Sequence, residues 1–561
     1  MAWQKKSDGG TTEDIKEIHR LHVILKQVWE RRSLVIVCLY VLGVVGMFCL
    51  PMTAQRGNVD EKALLMGVTK PSIQQKSGFI VKNYAKMQKE IGSPAELGLI
   101  DRVQAAWTFL ERAQGSTIER PMEWKTGTSG TKEQGDASLV CDSVHSIVHA
   151  SRSDGTESLL LAVGVDSVTK PDASFASILI WNVLAWHLGE QGWLAKNIIL
   201  VLLDVSKCTS DQALFSWVNS NLDTLRTDRR IGQIQQAIFV DIESLDMTDA
   251  TIKVHGLGGQ LPNYDMYMIA RRNLELYSSW KIKVEGSQIG SRPGNKQSEE
   301  PGYPENQLTT LARFMWHQAF GIPSGPHSVM LKRAIDSLSI SLSSSKGNQF
   351  RNHGVPVVQL ERCLQVLEMM VRTMNNLQEK LHHSTAFYAL AGPYSMIEVA
   401  MFMVPPGILL VAFVLQTADL LAKLQKHVHH VNWKQATGAA VCLHAIFISL
   451  FTCFSIFLES SYLTGHTIFE WDTARSCVVP VCGILTFAFV LWKYTLSWVL
   501  IAIGGKESKI SKTSHRCNLV AVKAMSAIFL CCSLPSVLLW RWPLAWILLT
   551  CLIPLHRGKS L

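Results

Sequence analysis

The sequence predicts a multi-pass α-helical membrane protein with one large α/β domain inserted between its first two spans. Three observations predict it. A charge-free apolar stretch, Ser33–Leu50, lies near the start, and the next begins only at Val399. Between them, continuous apolar runs alternate with helical-looking segments. From Val399 onward, apolar stretches of membrane length recur. The mean hydropathy of +0.15 and the 48% apolar content are high for a water-exposed chain, and the excess sits in these stretches.

No charged residue occurs between Arg32 and Arg56, which leaves room for the roughly 20 apolar residues that cross a hydrocarbon core. The segment ahead of it is polar and charged, unlike the short basic start of a cleaved leader, so it reads as an uncleaved signal anchor. The expected layout is a cytosolic segment 1–32, an anchor helix 33–51, an α/β domain 52–395 and a C-terminal bundle 396–561. Candidate spans in the bundle are Val399–Ala418, Gln435–Leu458, Ser476–Gly505, Ala524–Trp540 and the shorter Trp542–Leu555. Lys493 interrupts the longest, and an ionisable residue there marks a tilted span or a functional lysine. Pro405, Pro406 and Pro535 predict kinks that neighbouring helices accommodate.

Basic residues orient the spans. Arg31 and Arg32 precede the first, Lys423, Lys426 and Lys434 follow the second, and Lys506, Lys509, Lys512 and Arg516 follow the fourth. Glu459, Glu470 and Asp472 dominate the intervening loop. These loops agree on one topology, with the large domain lumenal. The formal net charge of +9 therefore reflects topology, and no nucleic-acid partner is expected.

Of the 13 cysteines, only Cys141, Cys208 and Cys363 lie in the large domain. That odd number lacks the paired spacing of a disulfide framework or zinc knuckle. One bridge and ordinary buried thiols both stand as readings.

Within the domain, Ser158–Val163, Asn197–Leu203 and Gln236–Val240 are continuous apolar runs, separated by helical stretches such as Ser174–Leu188. That alternation predicts βαβ units and parallel strands buried on both faces. Each run closes on an aspartate: Asp166, Asp204 and Asp241. Ligands of open α/β sheets bind beyond the carboxyl ends of the strands, so these three form a candidate metal- or amine-binding cluster, with one divalent ion as the candidate cofactor. Aspartates at strand ends also cap turns and the helices that follow, and that reading stands beside the first.

Three segments carry a family resemblance: Val254-His-Gly-Leu-Gly-Gly-Gln-Leu-Pro-Asn-Tyr-Asp265, Phe320-Gly-Ile-Pro-Ser-Gly-Pro-His-Ser-Val-Met-Leu331, and Asn376-Leu-Gln-Glu-Lys-Leu-His-His-Ser384 leading to Tyr394. In order, spacing and layout the chain resembles the GPI-anchor attachment subunit of the GPI transamidase. The resemblance implies a lumenal domain similar to zinc aminopeptidases, residence in the endoplasmic reticulum membrane, and a non-catalytic role. It also implies, as partners, a caspase-like cysteine-protease subunit, other transamidase subunits, the GPI lipid, and precursors bearing a hydrophobic C-terminal signal.

Zinc aminopeptidases place a His-x-Asp after one strand and a Glu-Glu pair after the next. Here those positions read Gly164-Val165-Asp166 and Asp204-Val205-Ser206. Asp172 stands for the bridging acid, Asp241 or Glu243 for the fourth ligand and His327 for the late histidine. Without the histidine and the glutamate base, hydrolysis through a zinc-bound water is not expected. The Gly256–Gly259 run predicts a tight turn and lacks the spacing of a phosphate loop. The rival readings are a membrane-tethered zinc aminopeptidase and a lipid-handling multispan protein.

Overall fold

The computed structural model describes residues 30–74, 76, 86, 98–114, 125–126, 141–229, 232–285, 304–344, 355–377, 379–425, parts of 431–449 and 512–556. The expected span 476–505 with Lys493, most of 435–458 and the loop charges Lys426 and Glu459–Lys509 lie outside the described residues. The described residues form two compact units. One gathers α1 (Arg32–Cys49) with the helices from Phe402 onward; the other holds Leu50–Met401.

The second unit is built on an eight-stranded sheet in the order β1-β2-β4-β3-β5-β8-β6-β7. The strands are β1 (Lys125–Thr126), β2 (Ser143–Val148), β3 (Glu157–Val165), β4 (Asn197–Asp204), β5 (Gln233–Ile242), β6 (Asp249–Lys253), β7 (Lys281–Val284) and β8 (Asp336–Ser343). Its central strands β4, β3, β5 and β8 are parallel, as the apolar runs predict. β2 pairs antiparallel with β4, and β6 antiparallel with β8. β4 is buried at every position but its last, so apolar side chains are favoured on both faces, each contributing about 1.5–3 kcal/mol. The outer β6 and β7 alternate buried and half-exposed positions.

Helices α2 (Leu99–Gln114), α3 (Pro171–Gly189), α4 (Ser210–Arg229), α5 (Tyr264–Tyr277), α6 (Pro304–Phe320), α7 (His327–Leu331) and α8 (Val355–Asn375) complete the unit. α3 is buried from Ala173 to Leu188, which is why its sequence shows no polar stripe. Cys141 and Cys208 are bridged, with Cα atoms 5.9 Å apart, tying the start of β2 to the loop after β4. Cys363 is a buried free thiol.

Residues 50–73 form a strap tied down by buried acids. Asp265 accepts the amides of Asp60 (3.0 Å) and Glu61 (2.9 Å). Glu368 on α8 accepts Ser72 N–H (3.0 Å), Ser72 O–H (2.5 Å) and Ile73 N–H (2.8 Å), and lies 3.3 Å from His187 Nε2. Burial alone would raise the Glu368 carboxyl, but its bonds from His187, Ser72 and Ile73 outweigh it and push it down to about 2. Tyr277 and Arg372 donate to the carbonyls of Thr69 and Lys70.

In the other unit, α1 packs on α10 (Val404–Gln425), with α11 (Lys512–Trp540) and α12 (Trp542–His556) alongside α10. Leu409, Phe413, Ala527, Leu530, Leu549 and Ile553 share one buried cluster. Leu34, Leu42, Val45, Phe48, Val411 and Val414 face outward. Three helices, Arg32–Thr53, Val399–Gln425 and Val520–Leu539, are long and apolar enough to cross a membrane, and Trp542–Pro554 is shorter. The candidate span Val399–Gln425 is interrupted just ahead of Pro405 and Pro406. The short helix α9 (Val399–Phe402) ends at Met403, and the two prolines enter the first turn of α10, where their missing N–H groups have no helical partner to lose.

Glu368→Gln should destabilise the folded chain by about 3 kcal/mol, since hydrogen bonds to a charged group contribute about 1.5–3 kcal/mol each, and should expose 50–73 to limited proteolysis. Because the folded carboxyl is depressed, its stabilising effect is complete above the ordinary value of 4.5 and is lost as pH falls toward about 2. Acid unfolding of wild type and variant should therefore converge at low pH. Replacing Cys141 and Cys208 by alanine should cost about 4 kcal/mol on the chain-entropy account, measured by denaturant unfolding.

Candidate functional site

The three strand-end aspartates occupy adjacent positions, following β3 (Asp166), ending β4 (Asp204) and near the end of β5 (Asp241). Two of them close their own turns. Asp166 accepts the amides of Val168 (3.2 Å) and Thr169 (3.0 Å) and the Thr169 hydroxyl. Burial opposes ionisation there, but the Thr169 and Val168 bonds and Lys170 hold the carboxyl below its ordinary value. Asp204 accepts the amide (2.9 Å) and hydroxyl of Ser206. The turn-capping role read from the sequence is thus real for both.

Asp241 differs. Desolvation raises its carboxyl, Lys253 and Lys170 pull it down, and the neighbouring Glu243 and Asp166 push it up. Glu243 itself accepts the Ser341 hydroxyl. Gly164 leaves space beside this acid: a Cβ there would lie 3.8 Å from Asp241 Oδ1, an ordinary contact.

A cation unnoticed in the sequence joins the strand-end acids. Arg102 on α2 is 4% exposed, donates to the hydroxyls of Ser167 and Ser174, and lies within the field of Asp204. Arg102, Lys170 and Lys253 thus offset most of the charge of Asp166, Asp204, Asp241 and Glu243 from within the protein.

A second group joins His327, the late histidine of the resemblance, to His255, Glu285 and His317, which the sequence reading missed. β6 runs antiparallel to β8, so Lys253 lies opposite Ser339, and the chain then delivers His255. Gly258 and Gly259 take left-handed φ of 73° and 80°, and a Cβ on Gly259 would come within 2.7 Å of the Gln318 carbonyl. The glycine run is the tight turn expected, pressed against the end of α6. Around it, His255 bonds Glu285 (3.2 Å) and stacks on His317 at 5.2 Å. Burial lowers the His255 imidazole, while the nearby imidazoles hold the Glu285 carboxylate well below its usual range despite burial. His327, fully buried with Nδ1 2.8 Å from Ser339 Oγ, is pushed down to about 3 by desolvation. Nothing in the spacing of 255, 285, 317 and 327 unites them; only the strand pairing does.

Residues 141–558 match the family described as Gaa1-like, GPI transamidase component. The chain belongs to that family. Two curated relatives are the GPI transamidase component GAA1 of Saccharomyces cerevisiae, 24% identical over 385 residues, and that of Schizosaccharomyces pombe, 22% identical over 389. Each match covers 67% of this chain but only 55% and 61% of those relatives' lengths. Among solved structures, the chain is similar to the Legionella pneumophila LapA aminopeptidase (TM-score 0.35, 7% identical, 55% of this chain and 75% of that one). A Porphyromonas gingivalis glutaminyl cyclase has a TM-score of 0.31 at 13% identity, covering 54% of this chain and 97% of that one.

The residues of this Gaa1-like chain do not fit the two-zinc set that the resemblance read from the sequence implies. Position 164 offers no imidazole, Asp204-Val205-Ser206 offers no glutamate base, and Asp166 and Asp204 spend lone pairs on their own turns. Among the described residues, the one His/Cys/Asp/Glu group whose ligand atoms lie within 4.8 Å of one another is Glu61 with His382 and His383, and Asp166, Asp204 and Asp241 do not reach that spacing.

The His327 depression gives a pH test. A neutral folded imidazole stabilises above the ordinary value of 6.5, and that contribution is lost as pH falls toward about 3. The His327 NMR resonances should stay in the neutral form at about pH 5, while stability declines below pH 6.5. In a His327→Gln chain that decline should be shallower.

Proposed function

We propose that this chain serves a GPI transamidase in the endoplasmic reticulum membrane as a subunit that binds and presents the GPI lipid and the precursor. On this reading the α/β domain is lumenal, and a separate caspase-like cysteine-protease subunit breaks the precursor's peptide bond. The observation that carries it is a transamidase-component family match over a strand-end crevice that has acids but no hydrolytic zinc set. The same lack of ligands argues against the aminopeptidase alternative.

The GPI lipid offers three chemistries: acyl chains, phosphates and a terminal ethanolamine amine. Asp241 and Glu243 supply carboxylates for the ammonium, and Lys253 and Lys170 beside them supply cations for the adjoining phosphate. We assign Asp166 and Asp204 the supporting role of shaping this edge. The acyl chains call for continuous hydrocarbon contact at about 0.8 kcal/mol per buried methylene, which the outward apolar faces of α1 and α10 offer.

In cells lacking the chain, precursors should accumulate with their C-terminal signals uncleaved, and a GPI-anchored reporter should vanish from the surface. Normal display would sink the proposal. Re-expression of Asp241→Asn with Glu243→Gln should restore assembly with the protease subunit but lower reporter transfer about tenfold, the loss of one charge-assisted contact. A photoactivatable GPI analogue should label peptides of α1 and α10; labelling confined to the α/β domain would move the acyl site there.

A further inference from the structure

Away from the strand-end crevice, Glu61, His382 and His383 bring their ligand atoms within 4.8 Å of one another. Glu61 is 6% exposed. Its Oε1 accepts the Ala63 amide at 3.4 Å, but Oε2 is buried with no hydrogen-bond donor and faces His383 Nε2 at 3.5 Å. A buried carboxylate oxygen without a donor is costly. Something of positive charge belongs beside it.

The two imidazoles are poised to supply that something as metal ligands. His382 Nδ1 lies 2.9 Å from the Lys380 carbonyl. That nitrogen must carry the proton, which leaves the Nε2 lone pair free, the arrangement second-shell carbonyls impose on ligating histidines. The two rings lie 4.2 Å apart between centroids and are 52% and 56% exposed, so an ion has a path in. The exposed Glu379 lies 3.9 Å from His382 Nε2.

The start of α5 braces both sides of the cluster. Asp265 holds the amides of Asp60 and Glu61. Two residues earlier, Asn263 Nδ2 donates to the Ser384 carbonyl at 2.9 Å, and the Tyr264 amide donates to Thr385 at 2.9 Å. The Asn263-Tyr264-Asp265 tripeptide therefore pre-sets Glu61 against His382 and His383.

We propose that Glu61, His382 and His383 bind one divalent transition-metal ion. Two imidazoles and a carboxylate, with a position open to water, suit zinc above the hard cations. The ion fastens the strap that leaves the first apolar helix to the segment that leads into the second.

The test is Zn²⁺ titration of the chelator-stripped full chain in detergent. It is run in a His429→Ala, His430→Ala background, because His427, His429 and His430 form a separate histidine run in the sequence. One equivalent should bind. His382→Ala and His383→Ala, both at exposed positions, and Glu61→Gln should each weaken binding at least about tenfold. Asp166→Ala and Asp204→Ala should leave it unchanged. The Co²⁺-loaded chain should show a visible d–d spectrum that shifts in Glu61→Gln, and Zn²⁺ should slow proteolysis within 50–73 except in His383→Ala. Absence of stoichiometric binding overturns the proposal. So does binding indifferent to Glu61→Gln, which would mean an adventitious histidine pair, or binding lost with Asp166→Ala, which would place the ion at the strand ends.

Discussion

The fold of the α/β domain hangs on the first turn of α5. The opening amides of a helix have no partner within it, and Asn263 satisfies one of them, the Asp265 amide at 2.9 Å. The remaining polar groups of this turn reach outward: the Asn263 amide to Asp336 at the start of β8, its Nδ2 to Ser384, the Tyr264 amide to Thr385, and the Asp265 carboxylate to the 60–61 strap. Three segments distant in sequence meet on three consecutive residues. Because each bond satisfies a buried group, releasing one segment leaves donors unpaired for the others, at about 1–3 kcal/mol each. Desolvation raises the Asp265 carboxyl, and only those donated amides pull the other way.

Charge balance decides the chemistry of the crevice. Carboxylates gathered at one sheet edge repel one another unless cations lie among them. A metallohydrolase supplies them as metal ions. Here Arg102, Lys170 and Lys253 do it with side chains, and the turns of Thr169 and Ser206 absorb lone pairs that an ion would use. On the proposed function, such an arrangement suits a ligand carrying both signs, a phosphate bearing an amine.

What the sequence made legible follows from burial. Strands buried on both faces carry almost no polar residue, so β3, β4 and β5 and the aspartates ending them stand out, as does the βαβ order they imply. β6 and β7 are short and half-exposed, their pattern is weak, and the antiparallel turn back along β8 leaves no local mark. The histidines and Glu285 that depend on that pairing were therefore invisible as a group, as was Arg102, which reaches the crevice from a helix with no motif. The Cys141–Cys208 bridge was one of two open readings, because three cysteines without regular spacing do not select a pairing. Asn263, Asp265, His382 and His383 lay inside the segments that carry the family resemblance, yet their meeting with Glu61 needed the strap to be placed.

In the apolar unit, one charge fixes the register of two helices. Asp419 stands seven-tenths of the way along α10, where an isolated carboxylate in hydrocarbon would cost several kcal/mol. It pairs with Arg32 at the head of α1 and with Lys423 one turn on, at 2.8 Å. A second contact point lies deeper: a Cβ on Gly43 would come within 2.6 Å of Leu409, so the backbones approach closely there. Residues 32 to 43 on α1 and 409 to 419 on α10 span about 16 and 15 Å at 1.5 Å per residue. The two distances agree only for antiparallel helices in this register, so sliding either helix by a turn would separate the charges and bring a larger side chain to the crossing. Pro405 and Pro406 fit the same constraint: placed in the first turn of α10, they leave every hydrogen bond between the crossing and the ion pair intact.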